Sequence, residues 1–167
     1  FTEDDWAALE YDANFWLRPN QKIDTVGDWY ITALVAGRGY GKTRTMSEWC
    51  RKFVEENPGC RIAIGGRTSA DIRNTMITGD SGLLAVTPPD ERPVYKMHTS
   101  TLEWPNGSTA LLLSSESPDQ ARGPQFHAAI LDEFAAWKTT PDASGATLYD
   151  NILLATRLGD HPKILMA

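Results

Sequence analysis

The chain has 167 residues and a formal net charge of −6, with 41% of its residues hydrophobic and 23% charged. A chain of this length and composition can bury the core of one globular domain without disulfide bonds. The acidic balance argues against a broadly basic nucleic-acid-binding surface, although it is compatible with a local basic patch.

Cysteines, histidines and apolar runs exclude several further classes. Cys50 and Cys60 are the only two cysteines and form no C-x-x-C pair, which predicts an intracellular protein in a reducing compartment. His98, His127 and His161 show no metal-ligand spacing. No signal peptide is recognisable, and no apolar run approaches the roughly 20 residues of a membrane helix, so we expect no membrane partner.

The N-terminal stretch predicts one helix followed by a polar turn. Thr2 is suited to cap the helix and Pro19 to end it. Apolar residues recur between them at helical spacing, namely Trp6, Leu9, Ala13, Trp16 and Leu17. A polar turn through Asp24 and Gly27 then leads towards the next element.

A glycine-rich sequence, AGRGYGKT at residues 36–43, follows an apolar run from Tyr30 to Val35 that predicts a strand. A helix is predicted next, since one apolar face is formed by Met46, Trp49, Cys50, Phe53 and Val54. A strand, a glycine-rich turn and a helix in this order are typical of a phosphate-binding loop. The alternative is a chance glycine-rich turn before a helix.

The loop residues that we expect to bind ATP are Gly37, Arg38, Gly39, Tyr40, Gly41, Lys42 and Thr43. The glycines would let backbone N–H groups approach the phosphates. Lys42 is expected to reach the β- and γ-phosphates, and the Thr43 hydroxyl to hold Mg²⁺. The loop departs from the common pattern at Ala36, where glycine is usual, and at Arg38 inside it.

The remainder of the chain alternates strands and helices. Further strands are predicted at three apolar runs, residues 61–66, 128–133 and 163–167. One helix is predicted after a Ser69 cap, and another from Asp142 or Ser144. Two β-prone runs flank Asn106-Gly107, which predicts a hairpin that adds antiparallel strands. The order predicts parallel βαβ units and therefore an α/β fold with a mainly parallel central sheet.

Two carboxylates, Asp132 and Glu133, end the apolar strand at residues 128–133. Ligands bind at the carboxyl ends of the strands in open parallel sheets. We therefore expect Asp132 to act on Mg²⁺ together with Thr43, and Glu133 to be the base that polarises the attacking water. The alternative is that both carboxylates only cap the following helix.

Four segments carry a family resemblance, namely WLRPNQ at residues 16–21, GRGYGKT at 37–43, ARGPQF at 121–126, and ILDE at 130–133 with Trp137 after it. Together they resemble the ATPase domain of the large terminase subunit, the DNA-packaging motor of tailed bacteriophages. The resemblance implies a RecA-like (ASCE) P-loop NTPase that forms a single ATPase domain over residues 1–167. An adenine-side segment would span residues 1–28 and the core 29–167, and the nuclease domain of full-length members would be absent.

The resemblance also implies roles for residues near the loop. Arg18 and Gln21 would hold the adenine, since a glutamine amide can both donate to and accept from an adenine edge. The alternative for both is a surface loop that ends the helix. Arg38 would either sense the γ-phosphate or brace the loop.

Arg122 would be the arginine finger that acts on the ATP of a neighbouring subunit. The alternative is a salt bridge that braces the turn before Gly123. The resemblance thus implies a catalytic set of Glu133, Lys42, Arg122 and Arg38.

The cofactors implied are ATP and Mg²⁺. The partners implied are double-stranded DNA, further copies of the chain in a homo-oligomeric ring, the portal protein and the small terminase subunit, in the host cell cytoplasm. Two other functions stay open from the sequence. One is another RecA-like, nucleic-acid-dependent ATPase such as a helicase, and the other is a nucleotide-binding module without hydrolysis.

Overall fold

A seven-stranded sheet forms the centre of the computed structural model, which describes residues 2–167 apart from the side chain of Asp4. Its strands are β1 (Ile31–Ala33), β2 (Arg61–Gly66), β3 (Val94–Lys96), β4 (Thr101–Glu103), β5 (Thr109–Ser114), β6 (Ala128–Leu131) and β7 (Lys163–Met166). Their order across the sheet is β1-β7-β6-β2-β5-β4-β3. The first five strands in this order are parallel to one another. The last two pairs, β5 with β4 and β4 with β3, are antiparallel. The predicted mainly parallel α/β fold is confirmed.

The helices are α1 (Glu3–Glu10), α2 (Ala13–Trp16), α3 (Lys42–Glu56), α4 (Ser69–Ile72), α5 (Leu83–Val86) and α6 (Leu148–Ala155). A π-helical turn, Arg73–Ile77, continues α4. Short 3₁₀ turns lie at Pro19–Gln21, Pro118–Ala121 and Phe134–Ala136. Across residues 2–167, none of the helices combines the length and the apolar character that a membrane crossing requires.

The two faces of the sheet carry separate apolar clusters. Helix α3 packs into the first cluster with Ile62, Ile64 and Ile130 of the central strands. Helix α6 packs into the second with Ala63 and Leu131. Neighbouring residues of one strand therefore belong to opposite clusters, as the alternation of side chains along a strand requires.

The apolar face predicted for α3 is buried. Its five residues, Met46, Trp49, Cys50, Phe53 and Val54, are each at most 4% exposed. Burial raises the pKa of the Cys50 thiol, which disfavours the reactive thiolate. Cys50 is therefore a packed core residue, as its position on the apolar face predicts.

The prediction of one N-terminal helix is wrong, because the helix is interrupted between α1 and α2. The Asp12 side chain accepts from Asn14 N at 2.8 Å and caps α2, so a local bond competes with helix continuation. The Trp16 indole Nε1 then donates back to Leu9 O at 2.9 Å. Trp6 and Trp16 are 62% and 53% exposed, so the regular spacing does not mark a core face.

Smaller differences lie at the element ends. Thr68 rather than Ser69 caps α4. Thr147 caps α6, because Asp142 instead closes its own turn by accepting from Ser144 N at 2.8 Å. The hairpin is confirmed, and Gly107 N donates to Trp104 O at 3.0 Å within it.

Both edges of the sheet are short, since β1 and β3 have three residues each. Ile31 in β1 and Val35 just after it are 42% and 95% exposed. Short edge strands are one way in which proteins limit pairing with other chains. The strand that leads into the glycine-rich loop is thus hydrogen-bonded to one neighbour, β7, within the described sheet.

A buried lysine connects β7 to the turn before β1. Lys163 is 1% exposed, and its Nζ donates to Gly27 O at 2.7 Å and to Trp29 O at 3.0 Å. The ammonium also lies 4.8 Å from the centre of the Trp29 ring. These contacts replace water around a buried charge and hold the turn that leads into β1.

We expect Lys163→Met to lower the free energy of unfolding by about 1–3 kcal/mol, because the two carbonyls lose their buried donor. Urea denaturation measures the change. Lys52→Met is the matched control, since the Lys52 side chain is 56% exposed. An unfolding midpoint equal to that of the control would contradict the structural role of Lys163.

Candidate functional site

The sheet topology brings the glycine-rich loop and the acidic strand end to the same edge. The loop follows β1 and Asp132 follows β6, and both strands run parallel to β7, which lies between them. Because neighbouring strands are about 4.8 Å apart, the two strand ends are about 10 Å apart. Burial raises the pKa of Asp132, and the positive charge of Lys42 is one of the weaker contributions that oppose this increase.

The loop has an open, left-handed backbone at two glycines. Gly39 and Gly41 have φ angles of +77° and +89°, and Gly41 lies directly before α3. A Cβ added to Gly37 or Gly39 would meet nothing within 4 Å. Lys42 Nζ donates to Ala36 O at 2.8 Å and to Gly37 O at 3.3 Å, so the ammonium lies against the loop. A cation beside an uncrowded glycine loop at a helix N-terminus suits a polyphosphate.

The segment around Arg18 and Gln21 holds this loop. Gln21 Nε2 donates to Tyr40 O at 2.8 Å, and Arg18 Nη2 donates to the same oxygen. Gln21 Oε1 accepts from Arg18 Nε at 3.1 Å, and the Arg18 guanidinium lies 5.1 Å from the centre of the Tyr40 ring. Gln21 is 5% exposed, so it is a buried brace rather than the surface residue of the alternative interpretation.

Asp132 is a buried carboxylate with protein partners on both sides. Its backbone N donates to Gly65 O at 2.9 Å, and its carbonyl accepts from Trp137 Nε1 at 2.8 Å. Its Oδ2 lies 3.1 Å from Thr75 Oγ1. Burial raises the pKa of this carboxyl group. The hydrogen bond with Thr75 lowers the pKa and is the largest of the contributions that do so.

Glu133 has a strained backbone and an exposed side chain. Its φ and ψ angles are +46° and +47°, a left-handed conformation that is unusual for a residue other than glycine. Its side chain makes no capping bond to the 3₁₀ turn at Phe134–Ala136. Capping alone therefore does not account for the two carboxylates. Such strain is concentrated at functional sites.

Arg122 lies in the connection after β5, two strands from β6 in the sheet order. Its Nη1 is 3.7 Å from an Asp142 oxygen and 3.8 Å from an Asp119 oxygen, and its side chain is 51% exposed. The salt bridge of the alternative interpretation is therefore present. The role as a finger towards another subunit stays a prediction.

The sequence predicts that Mg²⁺ is held by one carboxylate, Asp132, and by the Thr43 hydroxyl, and this stays a prediction. The described residues contain no group of three or more His, Cys, Asp or Glu side chains that could hold a metal ion alone. Mg²⁺ is usually bound by one or two carboxylates together with substrate phosphates and waters. The small donor set thus fits a magnesium ion that arrives with a nucleotide.

A family profile agrees with this geometry. The family described as "Terminase large subunit, T4likevirus-type, N-terminal" matches residues 33–147. The chain belongs to this family. The match spans the glycine-rich loop, Arg122 and both carboxylates, and it confirms the resemblance found in the sequence. No curated protein matches this terminase chain.

Two solved large-terminase structures share the fold. The large terminase of a thermophilic bacteriophage, solved in complex with ADP, gives a TM-score of 0.65 at 18% identity over 82% of this chain and 32% of that one. The large-terminase ATPase domain of Thermus phage P74-26 gives 0.63 at 14% identity over 99% of this chain and 68% of that one. The terminase chain therefore matches about a third of the length of the ADP-bound relative. Its RecA-like fold is confirmed.

The terminase site contains contacts that sequence reasoning missed. Thr75 was not singled out, because nothing in its local sequence shows that it reaches Asp132. Trp137 enters the sequence prediction only through the family resemblance. A Cβ on Gly65 would lie 2.5 Å from the Trp137 ring, so the glycine at that position makes room for the tryptophan. A glycine near the end of a predicted strand was the one available signal.

We expect Gly41→Ala to destabilise the terminase domain more than Gly39→Ala. Both substitutions put a Cβ on a left-handed residue, at a cost of about 1–2 kcal/mol. Only the Cβ on Gly41 also lies 2.7 Å from Gln21 Nε2. Thermal unfolding measures the difference.

In a Gln21→Ala background the close contact between the new Cβ and Gln21 is removed. The two glycine substitutions should then lower the stability of the domain by the same amount. A difference that persists in that background would contradict the close packing of Gln21 on the loop.

Proposed function

We propose that this terminase domain binds ATP with Mg²⁺ and hydrolyses it to drive double-stranded DNA into a viral procapsid. The observation that supports the proposal is the meeting of the Lys42 loop and the Asp132–Glu133 strand end at one edge of the sheet. The family match and the ADP complex of the thermophilic phage relative support nucleotide binding.

Each part of the site has a distinct task in this proposal. Lys42 and the loop N–H groups would bind the β- and γ-phosphates, and Thr43 and Asp132 would hold the Mg²⁺, which would neutralise phosphate charge. Glu133 orients and polarises the attacking water. The exposed side chain of Glu133 supports this task, because a base must reach substrate water.

Two arginines complete the proposed catalytic set. Arg38 is exposed in the loop, where a guanidinium can reach a bound γ-phosphate. Arg122 would leave its pairing with Asp142 and act on the ATP of a neighbouring subunit in a ring. Its half-exposed side chain supports such a movement.

Arg18 and Gln21 form the adenine side of the proposed site. Buried Gln21 and exposed Arg18 already hold the loop through hydrogen bonds, so any adenine contact would use what remains of their donor capacity. The proposed partners also include the portal protein and the small terminase subunit in the host cytoplasm, and the family match supports packaging partners in general. Because the chain has a net charge of −6, we expect it to contact DNA through a small patch rather than a broad basic face.

The alternatives have unequal support. The terminase family match favours a packaging ATPase over a helicase. A module that binds nucleotide without hydrolysis has no use for Glu133, and the strained backbone of that residue favours hydrolysis over simple binding.

We expect Glu133→Gln to bind ATP with near-normal affinity but to lower the hydrolysis rate by about 10²- to 10⁴-fold, because the amide cannot accept a proton from water. Phosphate release and equilibrium ATP binding in Mg²⁺ measure the two effects separately.

Lys42→Ala is the contrasting variant, since it removes the phosphate ligand and should abolish binding itself. Near-normal turnover by Glu133→Gln would exclude Glu133 as the base. Unchanged ATP affinity of Lys42→Ala would exclude the phosphate-loop assignment.

If Arg122 acts between subunits, activity per subunit should rise with protein concentration. Arg122→Ala should then lower turnover by about 10³- to 10⁵-fold, and mixing it with Lys42→Ala subunits should restore part of the activity. Steady-state phosphate release over a concentration series measures both effects.

Arg157→Ala is the control, because Arg157 is also an exposed arginine. Activity per subunit that does not change with concentration, together with no recovery on mixing, would leave Arg122 with only its salt-bridge role.

A further inference from the structure

Thr75 connects the Asp132 carboxylate to the π-helical turn at Arg73–Ile77. Its Oγ1 lies 3.1 Å from Asp132 Oδ2 and 2.8 Å from Asp71 O. Among residues 2–167 it is the side chain whose hydroxyl hydrogen-bonds this carboxylate. Asp132 itself is 9% exposed, so few waters can replace a lost donor.

The hydroxyl has one proton for two acceptors. Donation to Asp71 O is the ordinary back-bond of a helical threonine to the preceding turn. The contact with Asp71 O is the shorter of the two, but Asp132 Oδ2 is the acceptor that can carry a charge, and hydrogen bonds to charged groups are stronger than neutral ones. The Thr75 hydroxyl is therefore within hydrogen-bond distance of both acceptors, and one of them is the Asp132 carboxylate.

The π-helical turn is anchored on its other side. Met76 and Ile77 are fully buried in the cluster that contains α3, which fixes the turn against the core. Thr78 N closes it by donating to Arg73 O at 2.9 Å. Turns of this kind are frequent at functional sites. The anchoring gives the Thr75 hydroxyl a defined position from which to orient Asp132.

We propose that Thr75 is a positioning residue that orients the Asp132 carboxylate towards Mg²⁺. The proposal rests on the proposed function in its metal-binding part. Hydrogen-bond partners of metal-ligating carboxylates fix their orientation, and their loss typically costs about 10- to 100-fold in metal affinity.

Thr78 provides a matched control within the same turn. Its Oγ1 also donates to a backbone oxygen of the turn, Arg73 O at 3.0 Å. Both threonines are exposed residues. The difference that matters is the additional contact of Thr75 with Asp132, so Thr78→Val reproduces the loss of a hydroxyl without the loss of that contact.

The first experiment titrates Mg²⁺ into protein with ATP and follows nucleotide binding by calorimetry. Thr75→Val should raise the Mg²⁺ concentration at half-saturation by about 10- to 100-fold, while Thr75→Ser, which keeps the hydroxyl, and Thr78→Val should stay within about twofold of the original chain. ATP binding in EDTA should be equal in all four proteins.

The second experiment needs no nucleotide or metal. In metal-free protein, Thr75→Val should lower the urea midpoint, and in an Asp132→Ala background the same change should have a smaller effect, because the two side chains are coupled. This measurement also checks that the variants fold.

The outcomes separate the two proposals. Failure of the original chain to bind ATP with Mg²⁺ would overturn the proposed function, whereas additive urea midpoints would overturn the Thr75–Asp132 coupling. An equal Mg²⁺ requirement for Thr75→Val and Thr78→Val would overturn the positioning role. A Thr75→Ser variant as impaired as Thr75→Val would do the same, because the hydroxyl would then not be the group that acts.

Discussion

The parallel pairing of β1, β7 and β6 is the constraint on which the site depends. Parallel strands place their carboxyl ends at one edge, so residues about ninety positions apart in the chain, Lys42 and Asp132, meet there. The intervening strand, β7, separates the ends of β1 and β6 by two strand spacings. The loop supplies positive charge and backbone donors, and the strand end supplies the carboxylates, so in the proposed function both segments would be needed to bind a magnesium-bound triphosphate.

Much of this arrangement could be predicted from the sequence. The apolar face of α3, the glycine loop and the Asn-Gly hairpin are local patterns, and local patterns are what sequence reasoning detects. The split between α1 and α2 was not predictable, because helical spacing is present while Asp12 diverts the backbone. Thr75 was not predictable either, since its contact with Asp132 joins residues 57 positions apart.

The site combines a rigid frame with strained and charged parts. Gln21 is buried and uses its amide to hold the loop from a segment that lies before β1. Glu133 is held in a left-handed conformation directly after β6, and Asp132 is a carboxylate kept largely from water. Each of these features costs free energy in the ligand-free protein. Such costs are typical of sites where a bound ligand can compensate for them. Their concentration at one sheet edge is a stronger indication of function than any one of them.

The short edge strand β1 has a consequence for how the sheet responds to a ligand. Three residues paired to one neighbour make this strand the least supported part of the parallel sheet, and the glycine-rich loop follows it in the chain. A ligand that binds the loop only in its folded form lowers the population of locally opened states by mass action. In the proposed function, bound nucleotide would therefore stabilise the edge strand β1 against local opening. Release of the nucleotide in each cycle would remove this stabilisation.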